Sequence, residues 1–414
     1  MDTLGKRIQT IRKSRKMTLV DVAANKMTKG MLSLIENDKA QPSIENLQHI
    51  AKMLDTEIGS LTSEFPPAKL REILDEIHAI QRANINNVEA ASQLIIELIQ
   101  PIEKKLPLCY ETSQIILHYI KSFSRIARYE DGSDAAQYGA SIFKEMSLYN
   151  EYLQALRANA INEVALANYD NAFTILNEAY ELCRSDYYFI NTDIKISIFY
   201  DYAASAFAIG NFDTAKVSIT HLIDTCHTNK AYFFYSNSLR LAATASILFG
   251  KIDEVEHYRN LLDRFTQFDQ SEETTLLSDL FYLLYYNIGN SNPEMVIVFG
   301  DKLLENKEVG NLKQFVYLEL GKAYYQLEQF EHSYTAFNKY EHRPHEVLHP
   351  IDQAIYNESY SYFALVSDKL GHYEQAKYWA TEAYENSKKI VQFFDQDFIE
   401  NTYKKIAQQK IDRY

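Results

Sequence analysis

The first 65 residues alternate short runs of apolar and polar positions at helical spacing. In "LGKRIQTIRKSR", Leu4, Ile8 and Ile11 fall on one face. "TLVDVAAN" opens on Thr18, a good N-cap, with Asp21 three residues on to complete a capping box. Thr28 caps "KGMLSLIEN". Ser43, preceded by Pro42, caps "IENLQHIAKMLD", where Ile44, Leu47, Ile50, Ala51 and Leu54 share a face. Val22, Ala23, Met27, Leu32 and Ile35 fill the space between. The pattern predicts four short helices around one small core.

"SLTSEFPPAKL" follows. Pro66 and Pro67 are expected to stop a helix and hold the chain extended. They predict a head at 1–65, a proline linker at 66–69 and a body at 70–414.

The body repeats. A small residue or glycine, one further residue, an aromatic, two more, alanine, then an apolar residue four later and another three beyond form a pattern that recurs around Tyr169, Phe212, Ile252, Phe330 and Tyr373, in steps of 43, 40, 78 and 43 residues. The double step predicts a degenerate copy near "GNSNPEMVIVFGDKLL", and weaker copies lie at "EDGSDAAQYGASIF" and "NINNVEAASQLIIEL". Such a period predicts stacked antiparallel helix pairs, each burying a stripe against the next. With only 12 glycines and 8 prolines in 414 residues, helix is expected nearly everywhere. The 31 tyrosines and 22 phenylalanines read mostly as packing between pairs.

Charge divides the chain. The net charge is −14. Residues 1–64 carry +2, the first thirty alone +6, and the remainder −16. A basic head on an acidic body suits a polyanionic partner for the head only. No run of about 18 apolar residues occurs, so no membrane span is expected. The N-terminus has no secretory pattern, which predicts a cytoplasmic protein. Cys109, Cys183 and Cys226 are far apart and form no CxxC pair, so buried thiols are expected rather than disulfides.

The head resembles the Xre/Cro type of helix-turn-helix domain. The marks are a basic first helix, "TLVDVA", the "SLIE" that closes the third helix, and "PSIENLQHIAKML". One departure is that "NKM" stands where most relatives have a glycine and one more residue in the turn. That shortened turn, with the long repeats, resembles the RRNPP family of peptide-pheromone receptors, which join such a head to a tetratricopeptide body. The resemblance implies an all-α fold, with the repeats forming a right-handed superhelix. It also implies that the helix from Thr28 enters the major groove of a DNA operator. Lys29, Gly30, Met31 and Ser33 would then occupy exposed early positions. Thr28 would bond a phosphate as well as capping. Arg12, Lys16 and Lys39 would position phosphates. Glu36 reads as a structural anchor.

For the body, the resemblance implies a short signalling peptide on the concave face. Counting back from the turns places Arg157, Asn237, Arg240, Asp279, Tyr286, Lys322, Tyr325 and Glu358 there. The cations would meet a carboxylate, the anions a base, and Asn and Tyr the peptide backbone. A homodimer on a pseudo-palindromic operator is expected. Two alternatives stand beside this reading: a body that sequesters a response regulator or phosphotransfer protein, and a body that serves only dimerisation.

Catalytic motifs are not found: no GxxxxGK[ST], no GxGxxG after a strand, no HExxH. His342, His345 and His349 have HxxHxxxH spacing, but Pro344 and Pro350 predict a loop. The chain is therefore read as a regulator and not an enzyme, with no metal and no cofactor expected.

Overall fold

The computed structural model describes residues 3–185, 187–289, 291–341, 349–392 and 396–408, and among these there are helices and turns but no strands. The chain divides into two compact units, Met1–Ala158 and Asn159–Tyr414.

The first unit begins with α1 (Leu4–Ser14), α2 (Leu19–Ala23), α3 (Lys29–Glu36), α4 (Ile44–Met53) and α5 (Ile58–Thr62). Each expected cap forms. Thr18 and Asp21 make a capping box, and Thr28 and Ser43 accept from the backbone N–H groups of Met31 and Asn46. Ile8, Val22, Ala23, Leu32, Ile35, Ile50, Ala51, Leu54 and Leu61 form the core. Two details depart from the sequence reading. Ile44, the first residue of α4, is 73% exposed. A fifth helix, α5, closes the core through Leu61 and is tied to α1 by the Arg7 guanidinium, which donates to the carbonyls of Leu61 and Thr62 at 2.8 and 2.9 Å.

Gly5 shows how closely α1 lies on α3. A Cβ there would sit 2.2 Å from the Ile35 carbonyl oxygen. Only glycine allows that approach.

Residues 66–69 are not an extended linker. Pro66 is the N-cap of α6 (Pro67–Ala83), with Pro67 at its start. The first helical position needs no N–H, so proline begins this helix where it would end another. α7 (Val88–Ile99), α8 (Tyr110–Arg125) and α9 (Tyr129–Glu145) follow, and the division between units falls inside α10 (Tyr149–Ala165).

The second unit continues as antiparallel neighbours: α11 (Tyr169–Arg184), α12 (Thr192–Ala208), α13 (Phe212–Asn229), α14 (Tyr235–Leu248), α15 (Ile252–Asp269), α16 (Glu272–Leu284), α17 (Pro293–Glu305), α18 (Lys313–Gln326), α19 (Phe330–Phe337), α20 (Pro350–Lys369), α21 (Tyr373–Ser387) and α22 (Gln396–Gln408). The residues that mark the repeat each open the second helix of a pair: Tyr169, Phe212, Ile252, Phe330 and Tyr373. Pro293 opens the degenerate copy.

The rest of the pattern has a physical meaning. Two residues before each clear mark the backbone is left-handed, at Ala167, Gly210, Gly250, Glu328 and Gly371, which ends the preceding helix. Three residues after it a buried side chain sits where the pair packs: Ala172, Ala215, Val255, Ser333 and Ala376. The marking residue itself is not always core. Phe212 is buried, whereas Ile252 and Tyr373 are more than half exposed.

Within the second unit α20 also touches α12 and α14. His349 Nδ1 accepts from the Ile351 N–H, so its proton sits on Nε2, which donates to the Ala204 carbonyl at 2.9 Å. His342 and His345 lie outside the described residues. No helix among the described residues is long and apolar enough to cross a membrane, and no group of three or more His, Cys, Asp or Glu side chains there could hold a metal ion.

Candidate functional site

In the head, α3 is fixed from behind. Leu32, Ile35 and Glu36 are buried. The Arg12 guanidinium holds both Glu36 carboxylate oxygens, at 2.6 and 2.8 Å, and donates to the Met17 carbonyl at 2.9 Å. Its side chain is only 11% exposed. Arg12 therefore locks α1 to the end of α3, with three of its five N–H groups engaged inside the head; this buried pairing argues against the expectation that it positions a phosphate. Glu36 is the anchor the sequence suggested.

The other face of α3 is open. Lys29, Gly30 and Met31 are exposed and Ser33 is half-buried. Thr28 is exposed while its hydroxyl caps the helix at 3.1 Å. Lys16, Lys29 and Lys39 are exposed, and none makes a side-chain hydrogen bond or ion pair among the described residues. Leu34, 44% exposed, was not among the sequence candidates. Its signal was there: it stands three and four residues after Met31 and Gly30, on their side of the helix.

Gly30 has open space around it, with only Thr28 Oγ1 within 4 Å of a built Cβ, at 3.9 Å. The head does not need glycine at this position. Ala24, at the end of α2, is the reverse case: its φ of 43° and ψ of −139° suit glycine better than alanine.

In the body, the structure separates the eight candidates. Lys322 is fully buried, its ammonium 2.8 Å from Glu319 and 2.7 Å from Glu358. Asn287, in the π-turn Tyr285–Gly289, donates to Glu319 Oε2 at 2.6 Å and to the Glu319 carbonyl at 3.0 Å. Burial alone would lower the Lys322 pKa, but the two carboxylates hold it above its ordinary value. Burial pushes Glu319 up, and Lys322 offsets this only in part. Lys322 and Glu358 thus satisfy each other, and neither faces a ligand. This corrects both expectations.

Asp279 is likewise paired, with Lys302 at 2.7 Å. Tyr286 stacks on Tyr282 and lies against Phe299, and Tyr325 packs edge-on against Phe330 and Tyr362. Both rings pack against aromatic neighbours and are half-buried. Arg157 belongs to the first unit, half-buried, among the charges that after burial and Arg125 hold the Lys121 ammonium below its ordinary value. Asn237 is half-buried and accepts from Ser236.

Arg240 is different. It lines a cavity of about 310 Å³ within the second unit. The cavity is ringed by the first helices of four successive pairs: α14 with Arg240 and Thr244, α16 with Leu277, Leu280, Phe281 and Leu284, α18 with Phe315, and α20 with Asp352, Ile355 and Tyr356. Arg240 Nε is buried and has no hydrogen-bond partner among the described residues.

Residues 8–61 match the helix-turn-helix family model. The head is a helix-turn-helix domain followed by an all-helical repeat body. No curated protein matches the sequence. Among solved structures, the chain is similar to an aspartyl phosphate phosphatase from Bacillus subtilis, at 16% identity over 82% of this chain and 93% of that one, with a TM-score of 0.49. It is also similar to the competence regulator ComR from Streptococcus vestibularis, at 14% identity over 70% and 98%, TM-score 0.36. A third is PlcR from Bacillus thuringiensis, solved with a peptide and DNA, at 12% identity over 65% and 96%, TM-score 0.34.

Proposed function

We propose that this chain is a DNA-binding transcription regulator, not an enzyme, whose head reads an operator and whose body takes a short signalling peptide that changes operator binding. The carrying observation is α3. Its inner face is held by a buried bidentate ion pair, and its outer face presents Lys29, Gly30 and Met31 with no internal duty. A helix fixed so rigidly, with cations and small side chains facing out, suits the major groove. Residues 1–65 form the DNA-binding part in this reading and residues 70–414 the repeat domain. The chain acts as a homodimer on a pseudo-palindromic site, in the cytoplasm.

The second half of the reading is supported by the cavity at Arg240, where a candidate position meets an open space and, among the described residues, leaves a polar atom unpaired. The test of the head is selection of an operator from random duplex DNA by the full chain, followed by gel-shift titration. Lys29→Ala and Ser33→Ala are each expected to weaken binding to the selected site. Unchanged affinity in both variants would overturn the placement of α3.

A further inference from the structure

A guanidinium nitrogen removed from water without an acceptor is a destabilising arrangement. Among the described residues, Arg240 Nε is in that state. The cavity beside it has an apolar wall formed by Leu277, Leu280, Phe281, Leu284, Phe315 and Ile355. On its rim stand two exposed carboxylates, Asp352 and Glu341. Lys322, the other cation expected in this unit's groove, is consumed by Glu319 and Glu358.

We propose that this cavity is the subsite for the carboxyl-terminal residue of the ligand peptide, with the terminal carboxylate on Arg240 and a bulky apolar side chain against the wall. The inference rests on the peptide-binding reading above and narrows it to one end of the peptide and one class of residue. The C-terminal residue of a peptide carries a carboxylate and a side chain on a single α-carbon. One apolar residue there satisfies the guanidinium and fills the wall together. An internal aspartate or glutamate would reach Arg240 but leave the apolar wall empty. The two rim carboxylates act against a second anion and suit the N–H groups of an incoming backbone. Arginine rather than lysine is apt here, because its planar fork matches a carboxylate with two parallel bonds.

The test uses the full chain and two synthetic heptapeptide libraries ending in Leu, Ile or Phe, one with free carboxyl termini and one with the same sequences amidated, read by calorimetry. The free-acid peptide that binds best is expected to lose affinity by ~10-fold or more on amidation, the size of a charge-assisted bond. Arg240→Gln is expected to weaken the free acid by a similar factor and leave the amide unchanged, with Arg240→Lys restoring part of the loss. Amidation is read on the unaltered protein, so the result stands even if a variant folds poorly. A peptide that binds equally as acid and amide would overturn this subsite while leaving peptide binding intact. If no member of either library binds, the subsite is overturned, and a third heptapeptide library with unrestricted ends then decides peptide binding itself: binding there leaves that reading intact, and none overturns it.

Discussion

At the scale of single residues, charged side chains in this protein divide into those spent inside the fold and those left for a partner. Lys322 is the sharpest case. Its ammonium stands between two carboxylates with no exposure to water. Removing it strands buried negative charge, so Lys322→Met is expected to cost about 3–5 kcal/mol of stability, measured by denaturant unfolding, with no selective effect on ligand affinity. Glu319 is the surplus carboxylate. Its folded pKa is raised, so its contribution to stability is present below the ordinary value of 4.5 and is lost as pH rises through the folded value. Glu319→Gln removes that loss. Its stability at pH 7 is expected to equal or exceed the parent's, and its unfolding midpoint should vary less with pH above 4.5.

Arg12 and the lysines make the matching contrast in the head. Arg12→Ala breaks a largely buried pair and is expected to destabilise the head by on the order of 3 kcal/mol, seen in thermal melts. Lys16→Ala and Lys39→Ala should leave the melt unchanged. Each should instead reduce the slope of log affinity against log salt by ~0.9 if it meets a phosphate. These assignments were only half legible from the sequence. Helical periodicity says which side of a helix a residue takes, and it found Lys29, Met31 and Glu36. It does not say what lies opposite. Lys322 and Glu358 were both placed on an inner face by counting from the turns, yet they come from helices 36 residues apart that meet each other. A contact of that range leaves no mark in local spacing.

At the scale of helices and turns, much more was readable, because the signals are local. The caps at Thr18, Thr28 and Ser43 form as expected, and the repeat marks coincide with helix starts. The residue two positions before each mark is the left-handed residue that ends a helix (alanine or glycine at four of the five, Glu328 at the other), and the position three after it is where the helix pair packs closely. The prolines at 66 and 67 misled because proline both ends and begins helices, and composition does not distinguish the two. The same local logic gives a paired prediction for the head. Ala24 holds a backbone conformation suited to glycine, so Ala24→Gly is expected to raise head stability by about 1 kcal/mol. Gly30 stands in a helix with space around it, so Gly30→Ala is expected to leave the melt unchanged or raise it, since alanine exceeds glycine by about 0.5–1 kcal/mol in a helix. In the same variant, operator affinity should fall, because the added methyl group points into the space a DNA duplex would occupy. Stability and DNA binding moving in opposite directions would separate a docking surface from a merely solvated one. A Gly30→Ala protein with unaltered operator affinity would argue against close approach of DNA at this helix.

At the scale of the whole molecule, the proposed function joins two activities in one chain: an operator read by the head and a peptide held by the body. Charge supports the division of labour, with +2 on residues 1–64 and −16 on the remainder. Such a pairing regulates only if the peptide prefers one DNA-binding state of the protein over the other, and the preference must then be reciprocal: DNA alters peptide affinity by the same factor. The most direct measurement is therefore an anisotropy titration of the full chain on its selected operator, with and without a saturating concentration of the best-binding heptapeptide. The operator Kd is expected to shift, in either direction, by ~5-fold or more, the lower end of ordinary allosteric coupling. Superimposable titration curves, with peptide binding verified in the same samples, would contradict it.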